Sequence, residues 1–397
     1  MNAVPRHAAW RDFLAGNRLQ LLKSGGEYFP ALIAAIDGAR HEVHLEAYIF
    51  ANDTTGRLVA AALVRAAQRG VAVRVLVDGF GARGFAAGLG TSLAAGGVEV
   101  MTYRSEVGQT RIRRHRLRRL HRKLAVFDGS MAFVGGINVL DDFDDGKSAS
   151  ARLDYAVRIE GPLVARIHAD MRHVWRLVRW ARLGHRPPPP PLLPAAPAIR
   201  GTTRAALVIR DNLRHRRDIE SAYLQAIHSA RRQIVIASAY FLPGLRFRKA
   251  LLAAAKRGVS VNLLLQGRVE YVLQHYATQS LYDRMLSAGV RVFEYEKGFL
   301  HAKVAVIDRR WATVGSSNID PFSLLMTREA NVVVRDAAFA GELRASLEAA
   351  IAGEAREIRP EDHRRRSWLA RLASAAAYSL VRILIGVTRY GGKQYAD

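Results

Sequence analysis

The sequence predicts an α/β fold made of two duplicated halves, each a mainly parallel sheet flanked by helices. Three observations lead to this prediction. Helix-like and strand-like segments alternate along the chain, which is typical of βαβ units. The alternating pattern occurs twice, and a run of five prolines, Pro187–Pro191, separates the two copies. A chain of 397 residues is long enough for two domains of ordinary size.

The two copies match segment by segment. Residues 31–44 resemble residues 222–235, and both patterns predict an amphipathic helix that runs into a strand. Residues 67–79 resemble residues 255–267, and each contains a glycine that ends a helix just before a buried strand. Because the repeat is much longer than a solenoid unit, it indicates a duplicated domain.

The proline run marks the boundary between the copies, because consecutive prolines form a stiff linker. We therefore expect a division into four parts. These are a first half at 15–185, a linker at 186–200, a second half at 201–360 and a basic tail at 361–397.

Composition narrows the function classes. The net charge is +25, which favours a polyanionic partner such as nucleic acid, anionic lipid or a phosphate-bearing substrate, although it also suits a solubility device. The chain has no cysteine, so disulfides and thiolate metal sites are excluded. No segment has the uninterrupted apolar run of a secretory signal or a membrane-spanning helix.

One short motif occurs at matching places in the two halves, with histidine, lysine and aspartate at the same spacing. Its members are His121, Lys123 and Asp128 in the first half and His301, Lys303 and Asp308 in the second. Side chains two residues apart on a strand point to the same face, so each histidine and lysine should share a pocket. Each aspartate falls in a turn at the end of a buried strand. A glycine turn further on should return Asn138 and Asn318 toward the same pocket.

Two such half-sites suit phosphoryl chemistry. One histidine can attack phosphorus as a nucleophile, and the other can protonate the leaving alcohol. The lysines and asparagines can hold the non-bridging oxygens and the charge that develops in the transition state. Only eight of the 60 basic residues are lysine, so lysine at both motif positions indicates a requirement for a compact point charge.

A nucleophilic histidine needs an acceptor that holds its other ring nitrogen. Asp154 and Glu329 lie at comparable places downstream of the motifs, each at the start of a strand-like segment. We expect Asp154 to orient His121 and Glu329 to orient His301. The alternative is that both are ordinary carboxylates at strand ends.

These motifs and their flanking segments resemble the HKD family of phospholipase D enzymes, and within it the bacterial cardiolipin synthases that lack N-terminal membrane spans. The resemblance covers about residues 17–340. One departure is Gly136, where serine is common in the family, whereas the second half keeps Ser316. The flanking segments that carry the resemblance are HLEAYIFANDTTGR, LVDGFGARG and FVGGIN in the first half and TREANV and SSNIDPFS in the second.

The resemblance implies two phospholipase D-like halves that share one active site at a pseudo-twofold interface. It also implies a phosphatidyl-histidine intermediate, no metal or other cofactor, and His121 as the nucleophile, with Asp128 and Asp308 mainly structural. The implied reaction transfers a phosphatidyl group between two phosphatidylglycerol molecules and releases glycerol. The alternatives are an HKD nuclease, a hydrolysing phospholipase D and, less in keeping with the paired motifs, a basic membrane-binding scaffold without activity. No obligate nucleic acid partner is expected.

Two further segments bear on the partner. The first half has an insertion near residues 104–120 with six arginines from Arg111 to Arg119, which suits either a grip on lipid phosphates or a solvated loop. In the tail, Arg371, Arg382 and Arg389 fall within a narrow arc of a helix. This arrangement predicts peripheral attachment to the cytoplasmic face of the bacterial membrane. The alternative is a helix docked on the enzyme or on a second subunit, and the sequence does not determine the oligomeric state.

Overall fold

The computed structural model describes residues 12–104, 118–143, 151–183, 198–211, 214–269, 271–320 and 327–387. Most of the predicted linker, most of the arginine-rich insertion and Arg389 of the tail lie outside these ranges.

The described part of the first half alternates helix and strand and then runs through consecutive strands. Its elements are β1 (Leu14–Lys23), α1 (Ser24–Gly38), β2 (Glu42–Ala47), α2 (Thr54–Gln68), β3 (Ala72–Asp78), α3 (Leu89–Ala95), β4 (Glu99–Tyr103), β5 (Arg119–Leu120), β6 (Lys123–Phe127), β7 (Met131–Gly135), β8 (Tyr155–Glu160) and α4 (Leu163–Leu183).

The second half repeats this order and continues into the tail. Its elements are β9 (Thr203–Arg210), α5 (Asp218–Ser229), β10 (Gln233–Ser238), α6 (Leu245–Lys256), β11 (Ser260–Gln266), α7 (Val272–Gln279), α8 (Tyr282–Ser287), β12 (Arg291–Tyr295), β13 (Lys303–Ile307), β14 (Trp311–Gly315), β15 (Thr327–Arg335), α9 (Ala337–Glu354), β16 (Ala355–Glu357), α10 (Pro360–Arg364) and α11 (Trp368–Val387).

All these strands belong to one sheet, and the α/β class and the duplication are confirmed. From the middle outward, the order is β1-β8-β7-β6-β2-β3-β4 in the first half and β9-β15-β14-β13-β10-β11-β12-β16 in the second. The halves join where β1 pairs antiparallel with β9. Each half therefore presents its motif strand, β6 or β13, at the same place in the order.

The prediction of a mainly parallel sheet is wrong. In each half only the three strands linked by helical crossovers are parallel, namely β2, β3 and β4 and their counterparts β10, β11 and β12. The motif strand and the strands that follow it are antiparallel. The reason is the tight turn after the motif aspartate, because a chain that reverses without a crossover can only pair antiparallel.

Helices cover both faces of the sheet, and one face has a core that the halves share. Val164 and Ile167 of α4 pack in the same apolar cluster as Leu343 and Leu347 of α9, together with residues of β8 and β15. On the other face each half has a separate cluster, formed with α1 and α2 or with α5 and α6. Burying a leucine or isoleucine side chain stabilises by about 1.5–3 kcal/mol. The shared cluster thus holds the two motif strands in a defined relation.

The tail helix α11 docks on the second half by one face only. Ser374, Ala377 and Val381 are buried, and the latter two belong to the same cluster as α5 and α6. Just before the helix, Arg366 donates to the side chain of Gln279 at the end of α7, at 2.6 Å. No described helix is both long and apolar enough to cross a bilayer.

Candidate active site at the junction of the halves

Each motif histidine meets a carboxylate from the opposite half. The Nδ1 atom of His121 lies 3.0 Å from Oε1 of Glu329, and the Nδ1 atom of His301 lies 2.6 Å from Oδ2 of Asp154. The structure therefore brings together all four residues that the sequence proposed. The expected pairing, however, is wrong, because each acid serves the histidine of the other half.

The cross-pairing follows from the backbone. The residue before His121 pairs in parallel with the residue before Glu329, and the residue before His301 forms a parallel bridge with the residue before Asp154. The amide of His121 donates to the carbonyl of Arg328 at 3.0 Å, which repeats this register. Since neighbouring positions of paired strands share a face, the side chains of each histidine and acid meet.

The two lysines lie beside the histidines on the same strand face, as the alternation predicted. Nζ of Lys123 donates to the carbonyl oxygen of His121 at 2.6 Å, and Nζ of Lys303 donates to the carbonyl oxygen of His301. Nζ of Lys303 also lies 3.8 Å from Oδ2 of Asp154. Burial lowers the pKa of Lys123 to about 7, although the charge of Glu329 opposes this change.

Burial sets the protonation of the histidine pair. It lowers the pKa of His121, against the opposing charge of Glu329, and it lowers the pKa of His301 to about 3, where the nearby ammonium of Lys303 acts in the same direction. Burial raises the pKa of Asp154 and Glu329, but the cationic and hydrogen-bonding groups around them outweigh it and leave both values below the ordinary range. Near pH 7 both acids are therefore ionised and both histidines are neutral, so each Nδ1–H donates to its carboxylate.

The motif aspartates lie at the far ends of their strands. Asp128 and Asp308 both have φ +50°, in the left-handed region. Asp128 accepts backbone N–H groups from Arg40, His41 and Glu42 at 2.7–2.9 Å. Because each strand residue rises about 3.3 Å, Asp128 stands about 16 Å from Lys123 along the strand. This position separates the carboxylate from the histidine pocket.

The second motif aspartate repeats the arrangement. Asp308 accepts the backbone N–H groups of Arg231, Arg232 and Gln233 at 2.7–3.0 Å. Burial raises the pKa of Asp308, but these hydrogen bonds outweigh it and leave the pKa below its ordinary value. The geometry favours a bracing function at the strand end, in agreement with the expectation from the family resemblance.

The motif asparagines are buried in the turns after β7 and β14. Oδ1 of Asn138 accepts the backbone N–H of Ile49 at 3.3 Å, which leaves its amide nitrogen as the group available to a phosphate oxygen. Oδ1 of Asn318 is buried and has no hydrogen-bond partner among the residues that the structure describes. Their contact with a phosphate stays a prediction.

Sequence reasoning missed several side chains around His121. The ring of Tyr48 lies 4.6 Å from the imidazole in an edge-to-face arrangement. The hydroxyls of Ser316 and Thr327 both donate to the Glu329 carboxylate, the latter at 2.7 Å. Thr327 could have been found from its spacing, since a residue two before Glu329 on a strand shares its face.

The departure at Gly136 has a steric cause. A Cβ atom at this position would lie 2.3 Å from Oδ1 of Asp154, closer than any stable contact. The second half has the longer Glu329 at the equivalent acid, and there Ser316 fits and hydrogen-bonds to it. Glycine with aspartate in one half and serine with glutamate in the other are therefore two matched pairs.

The residue between histidine and lysine in the first motif has a different function. Arg122 points to the opposite strand face, where it is buried and forms ion pairs with Glu46 and with Asp170 of α4. The second motif has Ala302 at this place. The ion pairs tie α4 to the motif strand, and they are the reason that an arginine can be buried here.

Comparison with known proteins agrees with this geometry. A family model described as "Cardiolipin synthase, PLD-like domain" matches residues 32–175 and 223–351. Cardiolipin synthase B of Escherichia coli K12 is 38% identical over 384 residues, which cover 94% of this chain and 89% of the relative. Cardiolipin synthase A of Pseudomonas putida W619 is 34% identical over 88% of this chain and 71% of the relative.

Among solved structures, phosphatidylserine synthase of Haemophilus influenzae Rd KW20 superposes with a TM-score of 0.68 at 14% identity, over 95% of this chain and 96% of that one. That likeness concerns the fold. The double match to the family model and the identity over nearly the whole length carry the assignment. The chain belongs to the cardiolipin synthases of the phospholipase D superfamily, a family of phosphatidyltransferases.

Proposed function

We propose that this enzyme transfers a phosphatidyl group from one phosphatidylglycerol to another, forming cardiolipin and releasing glycerol through a phosphatidyl-histidine intermediate. The observation that carries the proposal is the pair of histidines, each with its Nδ1 at hydrogen-bond distance from a carboxylate of the opposite half. This arrangement leaves both Nε2 atoms available to a phosphodiester bound between them.

In the first step, Nε2 of His121 attacks phosphorus. Glu329 holds the imidazole in the tautomer that keeps a lone pair on Nε2, and Ser316 and Thr327 hold Glu329 in turn. A bound phosphodiester adds negative charge near both rings and raises their pKa, so His301 can carry the proton that the leaving glycerol oxygen takes.

The ammonium groups of Lys123 and Lys303 stabilise the charge on the non-bridging oxygens as the phosphorus becomes five-coordinate. Both are anchored by histidine carbonyls and therefore need little reorganisation. Asn138 and Asn318 add hydrogen bonds from the turns that follow. In the second step, His301 takes the proton of the acceptor hydroxyl.

The test is to incubate the purified protein with phosphatidylglycerol vesicles and identify the products. Cardiolipin and glycerol are expected, and His121→Ala and His301→Ala should each abolish turnover. His41→Ala, at an exposed histidine of the first half, serves as the matched control and should stay active. Phosphatidic acid as the sole product would indicate hydrolysis. Cleavage of single-stranded DNA without lipid turnover would instead indicate a nuclease.

We also propose that the enzyme attaches to anionic membranes through the outer face of α11. Five large apolar side chains of this helix, Trp368, Leu369, Leu372, Leu380 and Ile383, are 47–66% exposed. On a helix they fall within an arc of about 120°, on the side away from the docked residues. Arg371 and Arg382 lie between the two faces, where they can meet lipid headgroups.

Further apolar side chains are exposed near α7, the helix on which α11 packs. Val269, Tyr271 and Val272, at the start of α7, are also more than half exposed. Tyr271 packs against Tyr240, and Thr278 of α7 donates to the carbonyl of Phe241 at 3.0 Å, close to the turn that carries Asn318. A membrane bound at α11 would therefore lie beside the opening of the site.

Sedimentation with phosphatidylglycerol vesicles tests the membrane proposal. Leu372→Glu should reduce the bound fraction several-fold, because it places a carboxylate in the apolar stripe. Leu58→Glu is the matched control, since Leu58 of α2 is 57% exposed against 59% for Leu372. Equal binding of both variants and the unaltered protein would reject α11 as the contact.

A further inference from the structure

Near the backbone bridge that brings Asp154 to His301 lies a cationic side chain, Arg152, which has no hydrogen bond within the part of the chain that the structure describes. Arg152 precedes Asp154 by two residues, and Phe299 precedes His301 by two. The parallel backbone bridge between the intervening leucines sets Arg152 beside Phe299, with the guanidinium carbon 5.1 Å from the ring centre, just as Asp154 is set beside His301. Since side chains alternate along an extended chain, both pairs lie on the same face.

Arg152 makes no hydrogen bond and no ion pair with any residue that the structure describes, and its Nε atom is buried. The carboxylate of Asp142 is near enough to feel its charge. Burial raises the pKa of Asp142, and Arg152 opposes that rise. Asp142 itself accepts the backbone N–H of Gly25 at 2.7 Å. A partly buried guanidinium without hydrogen bonds is costly, so the geometry suits an anion that arrives with the substrate.

The place of Arg152 matches the shape of the acceptor lipid. Two residues along an extended chain span about 6.6 Å, so the Arg152–Phe299 pair lies about this far along the backbone from the Asp154–His301 pair. In phosphatidylglycerol a three-carbon bridge separates the reacting hydroxyl from the phosphate, and its extended length is similar. A hydroxyl at His301 would thus place its own phosphate near Arg152.

The order of the two reaction steps determines which histidine the acceptor lipid approaches. The incoming alcohol takes the place of the leaving glycerol, since both reactions pass through the same arrangement in opposite directions. With His121 as the nucleophile, that place is beside His301. The acceptor oxygen gives its proton to Nε2 of His301 and bonds to phosphorus, while the bond from phosphorus to Nε2 of His121 breaks and its electron pair returns to the ring.

We propose that Arg152, resting on Phe299, binds the phosphate of the acceptor lipid and so makes the enzyme prefer a phosphate-bearing alcohol over a neutral alcohol or water. The inference rests on the proposed phosphatidyl transfer and names the acceptor side of the same site. A charge-assisted bond to the acceptor phosphate acts only in the second step. Formation of the phosphatidyl-histidine should not depend on it.

The first half offers a matched control. Arg119 precedes His121 by two residues, as Phe299 precedes His301, so it lies at a similar distance from its histidine. There the guanidinium rests on Phe80 at 4.7 Å from the ring centre, and Arg83 stacks on the same ring at 4.2 Å. Arg119→Gln therefore removes an equivalent charge on the nucleophile side.

The experiment is a competition between acceptors. The full-length enzyme is given phosphatidylglycerol vesicles in the presence of ethanol, and cardiolipin and phosphatidylethanol are both measured. Arg152→Gln should lower the ratio of cardiolipin to phosphatidylethanol at least tenfold, while phosphatidylethanol formation stays within about twofold. A tenfold change corresponds to about 1.4 kcal/mol. Arg152→Lys, which keeps the charge, should give an intermediate ratio.

The remaining outcomes are decisive in the same assay. An unchanged ratio in Arg152→Gln, an equal loss of both products, or a selective loss in Arg119→Gln in place of Arg152→Gln would overturn the inference. Phosphatidylethanol production by a variant shows that the variant is folded. A wild-type enzyme that forms neither product would reject the proposed function itself, which separates the two failures.

Discussion

The motif aspartate gives the sharpest test of how the site is built. Asp128→Asn changes one oxygen to an amino group and keeps the shape of the side chain. In the structure one carboxylate oxygen accepts the N–H groups of His41 and Glu42, and the other accepts the N–H of Arg40 at 2.9 Å. Asparagine can keep the first pair through its carbonyl oxygen, but its amino group then faces the Arg40 N–H, and two donors oppose each other.

The magnitude follows from that single lost bond. A hydrogen bond to a charged group contributes about 1.5–3 kcal/mol, and partial exposure of this loop places the loss at about 1–3 kcal/mol. Asparagine tolerates the left-handed backbone of Asp128, so the turn adds little. An unfolding entropy of about 2.1 cal/mol/K per residue gives a drop in Tm of only about 1–4 °C for a chain of 397 residues.

Chemical denaturation measures the loss in the free energy of unfolding, and hydrogen exchange of the amides of residues 40–42 locates it. We expect faster exchange at these amides, a lower midpoint and a kcat within about threefold of the unaltered enzyme. Asp308→Asn should repeat the result in the second half, at residues 231–233. A hundredfold fall in kcat with unchanged stability would refute the bracing function and give the carboxylate a part in the chemistry.

Three other predictions concern the histidine pocket. Glu329→Gln should lower kcat by a factor of about 10²–10⁴, because the neutral amide no longer stabilises the charge that His121 gains when it attacks phosphorus. Single-turnover formation of the phosphatidyl-enzyme measures this loss. A normal rate would contradict the pairing of Glu329 with His121. Gly136→Ala should lower kcat more than tenfold, because its Cβ displaces the Asp154 carboxylate, and normal steady-state activity would mean that the carboxylate can move without cost. The rate constant kcat/KM should fall as pH rises through about 7, because Lys123 loses its proton there in the free enzyme. The fall in kcat should occur at higher pH, because a bound phosphate raises the pKa of Lys123. If kcat and kcat/KM fell at the same pH, Lys123 would not be the group responsible.

Several features of the site could be derived from local pattern alone. Alternation along a strand put each histidine and lysine on one face, and a buried apolar run followed by an Asp-Gly or Asp-Arg turn located Asp128 and Asp308 at strand ends. The duplication followed from matching segments and equal motif spacing. These inferences depend on neighbours in the chain, and such local geometry is similar in every fold.

The direction of the sheet strands and the identity of each histidine's partner could not be derived in this way. Asp154 follows His121 in the first half and Glu329 follows His301 in the second, so distance along the chain favours the wrong pairing. Only the register between β5 and β15, together with the bridge from Leu153 to Leu300, decides which ring each carboxylate reaches. The steric reason for Gly136 depends on the same contact.

The amino-acid order was therefore sufficient for the two half-sites, their members and the family resemblance. Packing of the halves against each other determined how those members combine into one site, with each acid crossing to the opposite histidine and with Arg152 set beside Phe299. The physical reason is that pairing across the junction depends on backbone hydrogen bonds and a shared apolar core between segments far apart in the chain, and no local pattern encodes that register.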